Sequence, residues 1–184
     1  MKKMPEIINT TILDAEQVAS QVLQIEQLHL RFSNGEERDY RRIAGVGRGA
    51  VMIVPMVDKD TVLLIREYCA GTLRYELQLP KGGIDEGETA LEAANRELKE
   101  EVGKGAKQLD YLTQLGIAPG FMAHQTDIVL AQDLYDERLQ GDEPEELEIV
   151  PWSLHDLSTL AMREDFTEAR SLAALYLVKE RLHG

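Results

Sequence analysis

Apolar positions along this chain follow two rhythms. Leu28, Leu30 and Phe32 alternate with His29 and Arg31, the period of a strand with one buried face. Ser33-Asn34-Gly35 is a hairpin turn signal, and residues 40–43 read as the return strand. In residues 14–23, Val18 and Val22 fit a helix, but β-branched residues also fit a strand, and a strand is expected. Residues 1–45 thus form a small N-terminal β unit, and 46–184 form the main domain. Residues 50–57 and 61–68 are apolar, β-rich runs around Asp58-Lys59-Asp60, which predicts a β-hairpin feeding the core sheet. Residues 74–79 add a short strand that Pro80 ends.

The period then lengthens. Leu91, Ala94, Leu98 and Val102 recur at helical spacing and predict a helix over 89–102, with Thr89 as N-cap and Glu92 completing a capping box. Gly103 and Gly105 stop it. Residues 111–117 and 127–132 read as strands around a loop at 118–125, followed by an acidic stretch at 133–148. A strand at 149–152, a helix at 154–162 capped by Ser153, and a last helix from Thr167 complete the chain. Ala169, Leu172, Ala173, Leu175, Tyr176 and Leu177 should face the sheet from that last helix. This order suits an α/β fold, a mixed sheet between helices.

Composition narrows the function classes. The 184 residues are 43% hydrophobic, enough for one domain with a real core. A net charge of −13 gives no electrostatic footprint for duplex nucleic acid or an anionic membrane, and a polyphosphate ligand would have to come with cations. Cys69 is the single cysteine, so no internal disulfide forms. The opening MKKMPEII is not followed by an apolar run and does not read as a secretory signal. No apolar stretch approaches the roughly 20 residues of a membrane span. The expectation is a soluble cytoplasmic protein.

The candidate chemistry sits between Gly82 and Lys104. Gly82, Gly83 and Gly87 are expected to make a loop that carries Glu86 and Glu88. Glu97, Glu100 and Glu101 stand at i, i+3 and i+4 and share one helix face. Three carboxylates together repel each other unless a cation sits among them, and hard oxygen ligands suit Mg2+ or Mn2+. Arg96 can partner Glu88 or Glu97. The plain alternative is a solvated charged helix with Glu97 paired to Lys99 or Lys104. His29, His124, His155 and His183 have no metal-ligand spacing; His124 reads as a surface residue and Trp152 as core.

Gly82, Glu88, Arg96, Glu97, Leu98, Glu100, Glu101 and Gly103 together match G-x5-E-x7-R-E-U-x-E-E-x-G-U, with U a bulky aliphatic residue. In this the chain resembles the Nudix hydrolases, departing only at the final U, which is Lys104. The resemblance covers roughly residues 45–180 and implies an α/β/α sandwich that cleaves a nucleoside diphosphate bond with Mg2+, or Mn2+ in its place. It implies Glu97, Glu100, Glu101 and the Gly82 carbonyl as metal ligands, Arg96 as the residue that orients them, and Glu88 and Gly103 as structural members of the box.

Pro119, sixteen residues after Gly103, and the N-terminal β unit resemble the ADP-ribose pyrophosphatase branch of that family. LIREYCAGTLRYELQLPKGGID, FSNGEERDY, IVLAQDLY and GDEPEEL resemble bacterial members that take ADP-ribose, NADH and diadenosine polyphosphates. The branch's Q-Y/F-R motif is replaced by Glu67-Tyr68-Cys69, which fits a broader substrate range. Arg66 and Arg74 remain as phosphate contacts, or as plain strand-edge arginines, with Pro119 as a further substrate-binding position. The branch implies a glutamate base in the loop Gln140-Gly141-Asp142-Glu143-Pro144-Glu145-Glu146, Glu145 first and Glu143 second, and a homodimer built on the N-terminal unit with an adenine pocket at the interface. The competing readings are a diadenosine polyphosphate or capped-RNA pyrophosphohydrolase and a non-catalytic Nudix-fold nucleotide sensor.

Overall fold

The structure, a computed structural model, describes residue 4 and residues 6–18 and 21–184. It divides into two compact units, Met1–Gly49 with Gly116–Gln125, and Ala50–Leu115 with Thr126–Gly184. In the first, β1 (Glu6–Val18), β2 (Gln21–Arg31) and β3 (Glu37–Val46) form an antiparallel meander in that order. The stretch expected as one strand at 14–23 is two strands paired to each other, with Val18 opposite Gln21. Residues 19 and 20 of that stretch lie outside the described residues, as do 1–3 and 5 of MKKMPEII. The expected turn is present: Gly35 takes a positive φ of 85° and its N–H reaches the Phe32 carbonyl at 3.0 Å. Ile43 clasps the 116–125 segment, its N–H donating to Phe121 O at 2.8 Å and its carbonyl accepting from Ala123 N at 2.9 Å.

In the second unit, β4 (Ala50–Pro55), β5 (Thr61–Cys69), β6 (Arg74–Gln78), β7 (Lys81–Gly83), β8 (Lys104–Gly116), β9 (Gln125–Asp136) and β10 (Glu148–Ser153) make two sheets. Their orders are β7-β4-β9-β8, in which β4 and β9 run parallel, and β10-β5-β6, which is antiparallel. The runs at 50–57 and 61–68 were expected as one hairpin, but they belong to different sheets. Only the tip of their connection is hairpin-like, with a Met56–Val62 bridge and Asp58 accepting from the N–H groups of Asp60 and Thr61 at 2.8 Å each.

Side-chain alternation explains why these strands read as continuous apolar runs. Met52 and Val54 of β4, Val62 and Leu64 of β5, and Ile128 and Leu130 of β9 enter one core. Their neighbours Val51, Ile53, Leu63, Ile65, Val129 and Ala131 enter another. Strands buried on both faces lose the polar half of the strand pattern. The first core is closed by α2 (Leu157–Ala161) and α3 (Ala169–His183), through Leu157, Leu160, Ala174, Leu175 and Val178. The second is closed by α1 (Ala90–Glu97) and its continuation, through Ala93, Ala94, Leu98 and Val102. This is the expected α/β sandwich, with the acid-bearing helix on one layer and α2 and α3 on the other.

The helix ends refine the expectations. Thr89 caps α1, its hydroxyl accepting from Glu92 N at 3.3 Å while Glu92 reaches back to Thr89 N at 2.8 Å, the predicted capping box. The expected helix at 154–162 is a 3-10 turn over Leu154–Asp156 leading into α2, with Ser153 capping the turn. The last helix is capped by Glu168, not started at Thr167; the Glu168 carboxylate accepts from Ser171 N at 2.6 Å. Its buried stripe is Ser171, Ala174, Leu175 and Val178, and Tyr176 and Leu177 are exposed.

Candidate active site

Gly82 and Gly83 were expected in a loop, but they lie in β7, paired to β4 with Gly82 opposite Val51. Among the glycines of this segment before the helix, Gly87 alone takes a positive φ, 87°. The strand explains why position 82 lacks a side chain: a Cβ there would run into the Glu97 carboxylate. The loop geometry that glycine permits is therefore not the reason for Gly82; close approach is.

α1 does not continue as regular helix through the acids. From Leu98 to Val102 the chain makes a wider π-type turn, which ends at Gly103 with φ 73°. Such one-turn widenings re-aim side chains. Glu97 and Glu101 end up buried, while Glu100 is half-buried. Arg96 bridges the group. Its Nε and one terminal nitrogen donate to the two oxygens of Glu88 at 2.8 and 3.0 Å. The other terminal nitrogen donates to Glu97 at 2.7 Å and Glu100 at 2.9 Å, and a bond to the Gly83 carbonyl at 2.9 Å completes the set. Glu101 is held from another side by the Lys81 backbone N–H at 2.9 Å.

The surface-helix alternative fails on geometry. Lys99 pairs with Glu137 at 3.0 Å and Lys104 with Asp136 at 2.5 Å, so neither is the partner of Glu97. The apolar position that Lys104 replaces in the box opens β8 here, and its charge is met by Asp136 on the neighbouring strand.

Electrostatics fit a cation. Burial pushes the Glu97 carboxyl up despite its bond to Arg96, and Glu100 and Glu143 add repulsion. Burial pushes Glu101 well above the usual carboxylate range. Glu88, bonded chiefly to Arg96, is lowered, and Arg96 is raised, first by Glu88. Desolvation thus outweighs hydrogen bonding at Glu97 and Glu101, the two buried acids of the box, and a divalent ion would reverse that balance. Glu97, Glu100 and Glu101 carry hard oxygen atoms of the type that Mg2+ or Mn2+ takes.

A cleft of about 390 Å³ opens beside these acids, lined by Glu100, Glu101, Gly141, Glu143, Pro144 and Glu145. The loop lies close to the widened turn after α1: a Cβ on Gly141 would stand 3.5 Å from the Glu100 Cβ. Its two candidate bases part ways. Glu143 is half-buried and its charge acts on Glu97, whereas Glu145 is exposed and accepts a 2.5 Å hydrogen bond from the Tyr75 hydroxyl.

Arg66 donates to Glu148 at 2.8 Å and to Asp165 at 2.7 Å. Arg74 donates to Glu76 at 2.7 Å. Both thus have carboxylate partners. Pro119 belongs to the first unit, in the segment clasped by Ile43. Trp152 is half-buried, packed against the first core, with the Arg163 guanidinium 5.7 Å from its ring centre. Two contributors escaped the sequence reading: Lys81, whose Nζ also pairs with Glu67 at 2.9 Å, and Tyr75. Adjacency to Gly82 could have pointed to Lys81; Tyr75 carries no sequence signal. The statement that the histidines have no ligand spacing holds along the chain but not in space, since Asp60, His155 and His183 bring ligand atoms within 4.8 Å of one another.

Residues 47–175 match the model of the NUDIX domain. The chain belongs to the Nudix family. Within this Nudix chain, residues 11–42 match the NudE-type Nudix hydrolase N-terminal domain. Over 175 residues it is 53% identical to the ADP compounds hydrolase NudE of Escherichia coli, covering 95% of this chain and 94% of that one. It is 30% identical over 140 residues to the ADP-ribose pyrophosphatase of Bacillus subtilis, 74% and 76% of the two chains. A crystal structure of an ADP compounds hydrolase superposes with a TM-score of 0.86 at 46% identity, over 99% of this Nudix chain and 96% of the other. Among the described residues no helix is long and apolar enough to cross a membrane.

Proposed function

We propose that this Nudix hydrolase cleaves the diphosphate bond of ADP-linked compounds, among them ADP-ribose, NADH and diadenosine polyphosphates, releasing AMP and the phosphorylated second group. The observation that carries the reading is the acid cluster beside the cleft, in which Arg96 holds Glu97 and Glu100, Gly82 makes room for Glu97, and Glu100 and Glu101 line the cleft. The end-to-end similarity to an ADP compounds hydrolase supports the substrate class.

Glu97, Glu100, Glu101 and the Gly82 carbonyl would hold Mg2+, with Mn2+ as a substitute. An ion held there would supply charge neutralisation at phosphate oxygens and would lower the pKa of a water. Arg96 fixes Glu97 and Glu100 against each other, so these carboxylates do not have to reorganise. Of the two loop glutamates, Glu145, first in the expectation, is exposed and bonded to Tyr75, so we prefer Glu143, half-buried in the cleft wall, as the group that would take the water's proton, with Glu145 as the alternative. Arg66 and Arg74, each already paired with carboxylates, remain the candidate phosphate contacts. The protein works as a cytoplasmic homodimer joined through the N-terminal sheet.

A panel of ADP-ribose, NADH and diadenosine triphosphate, assayed with Mg2+ and with chelator, tests the reading. AMP should appear from these substrates and stop with chelator. No AMP from any of the three would overturn it, and faster release of the cap nucleotide from a capped RNA would move the assignment to the RNA-directed reading, which the net charge of −13 disfavours.

A further inference from the structure

The layer opposite the acid-bearing helix carries a second cluster of ligand-type side chains. His183 ends α3, His155 lies in the 3-10 turn before α2, and Asp60 lies in the turn between β4 and β5. Sequence separations of 95 and 28 residues hide the grouping. In space the Asp60 Oδ1 lies 3.0 Å from His155 Nε2 and 3.3 Å from His183 Nε2, and the three ligand atoms fall within 4.8 Å of one another. The two rings are stacked at a tilt, centres 5.2 Å apart. The Lys59 carbonyl is 3.0 Å from His183 Nε2, and the Lys59 ammonium stands 3.8 Å from the other Asp60 oxygen.

We propose that Asp60, His155 and His183 form a transition-metal site, taking Zn2+ or a neighbouring ion such as Co2+ or Ni2+, that is separate from the box acids and clasps the end of α3 to the β4–β5 turn. The donor set decides the class of ion. Two imidazole nitrogens with one carboxylate suit Zn2+, whereas the all-oxygen set of Glu97, Glu100 and Glu101 suits Mg2+. Spacing agrees as well. Ligands about 2.0–2.2 Å from a tetrahedral ion stand about 3.3–3.5 Å from each other. The two Asp60–His distances need only a few tenths of an ångström of adjustment to fit.

The site also has a physical purpose. Its three ligands come from three segments that meet on the α2–α3 layer, so one ion would cross-link them without a disulfide. Binding of the ion to the folded chain alone would then raise stability by mass action. His155 is largely exposed, which leaves an open approach for the ion.

The test is Zn2+ titration of the full chain, prepared without a histidine tag, by calorimetry in millimolar Mg2+ that keeps the box acids occupied. Co2+ would serve as a spectroscopic probe of tetrahedral geometry. One Zn2+ per chain should bind, and the melting temperature should rise by about 5–10 °C at a hundredfold excess over Kd. The same Zn2+ should bind to the Glu97→Gln/Glu101→Gln double variant. His155→Asn/His183→Asn should weaken it by about a hundredfold or more, and Asp60→Asn should weaken it too, with AMP release in Mg2+ unchanged. Equal Zn2+ affinity in wild type and in the folded histidine double variant would overturn the proposal, as would loss of the Zn2+ in the box variant alone. Failure of the substrate panel would leave this site untouched, because its readouts are ion binding and melting.

Discussion

The Glu97 carboxylate stands where the side chain of Gly82 would be. A strand residue and a helix residue fifteen positions apart are therefore matched in shape, and the match sets where the first of the three clustered acids, Glu97, points. Gly82→Ala should displace Glu97 and lower kcat by about a hundredfold, in the range of losing a main electrostatic contact in the transition state. The control is its neighbour. A Cβ on Gly83 would meet nothing within 4 Å, so Gly83→Ala should keep near wild-type kcat. Steady-state kinetics of the pair, at saturating Mg2+, checks both; equal losses would mean that backbone stiffness, not the Glu97 contact, is responsible.

Glu101 combines deep burial with a raised carboxyl. In the metal-free protein its ionised form is disfavoured by folding. The stability this group contributes is complete below its unfolded value near 4.5 and is lost as pH climbs through the higher folded value. Glu101→Gln should abolish that loss, so at neutral pH and with chelator its melting temperature should exceed wild type, while kcat in Mg2+ falls by about a hundredfold or more. Melting scans across pH with chelator, set beside turnover, check the two signs; a variant that melts lower in chelator contradicts the burial argument.

Glu143 and Glu145 separate experimentally. Glu143→Gln should slow the single-turnover step while leaving Mg2+ affinity close to wild type. Glu145→Gln should do less. Tyr75→Phe removes the hydroxyl that donates to Glu145 and should leave chemistry in place. If Glu145→Gln proves the slower of the two glutamate variants, the loop closes differently with substrate bound, and Tyr75→Phe should then alter the rate.

The N-terminal sheet exposes Ile7, Ile8, Ile12, Leu13 and Ile25, and Leu28 and Ala44 are the hydrophobic side chains described as buried in it. Exposed apolar side chains in this number fit the proposed association surface. Sedimentation at micromolar concentration should give a dimer, and replacing Ile12 and Leu13 by Asp should give a monomer. A monomeric wild type removes the proposed interface.

Much of the site was legible because its spacings are local. The capping box at Thr89 and Glu92, the helix, the pairing of Arg96 with Glu88 and Glu97, and the stop at Gly103 all depend on residues a few positions apart. What escaped depends on distance or on a broken rule. Ile53 and Val54 point into different cores, so no alternation distinguished one sheet from two. Ser171 is a polar residue inside the core, where its hydroxyl accepts from Leu79 N at 3.1 Å, and it shifted the inferred face of α3 toward Tyr176 and Leu177. The widened turn at Leu98–Val102 carries no mark in the sequence, though it decides how deep Glu101 sits. Asp60, His155 and His183 meet only through the tertiary fold.

A guanidinium has five N–H groups, and those of Arg96 are matched by five bonds to Glu88, Glu97, Glu100 and the Gly83 carbonyl. The positive charge nearest the acids is thus turned toward the protein, and the cleft side presents carboxylates to any arriving anion. This predicts that the anion enters with or after its cation. A free diphosphate meets repulsion, whereas a cation, or a nucleotide already carrying one, is drawn in. The enzyme should therefore follow the concentration of the ion–nucleotide complex, with ion and nucleotide each raising the other's affinity by the same factor.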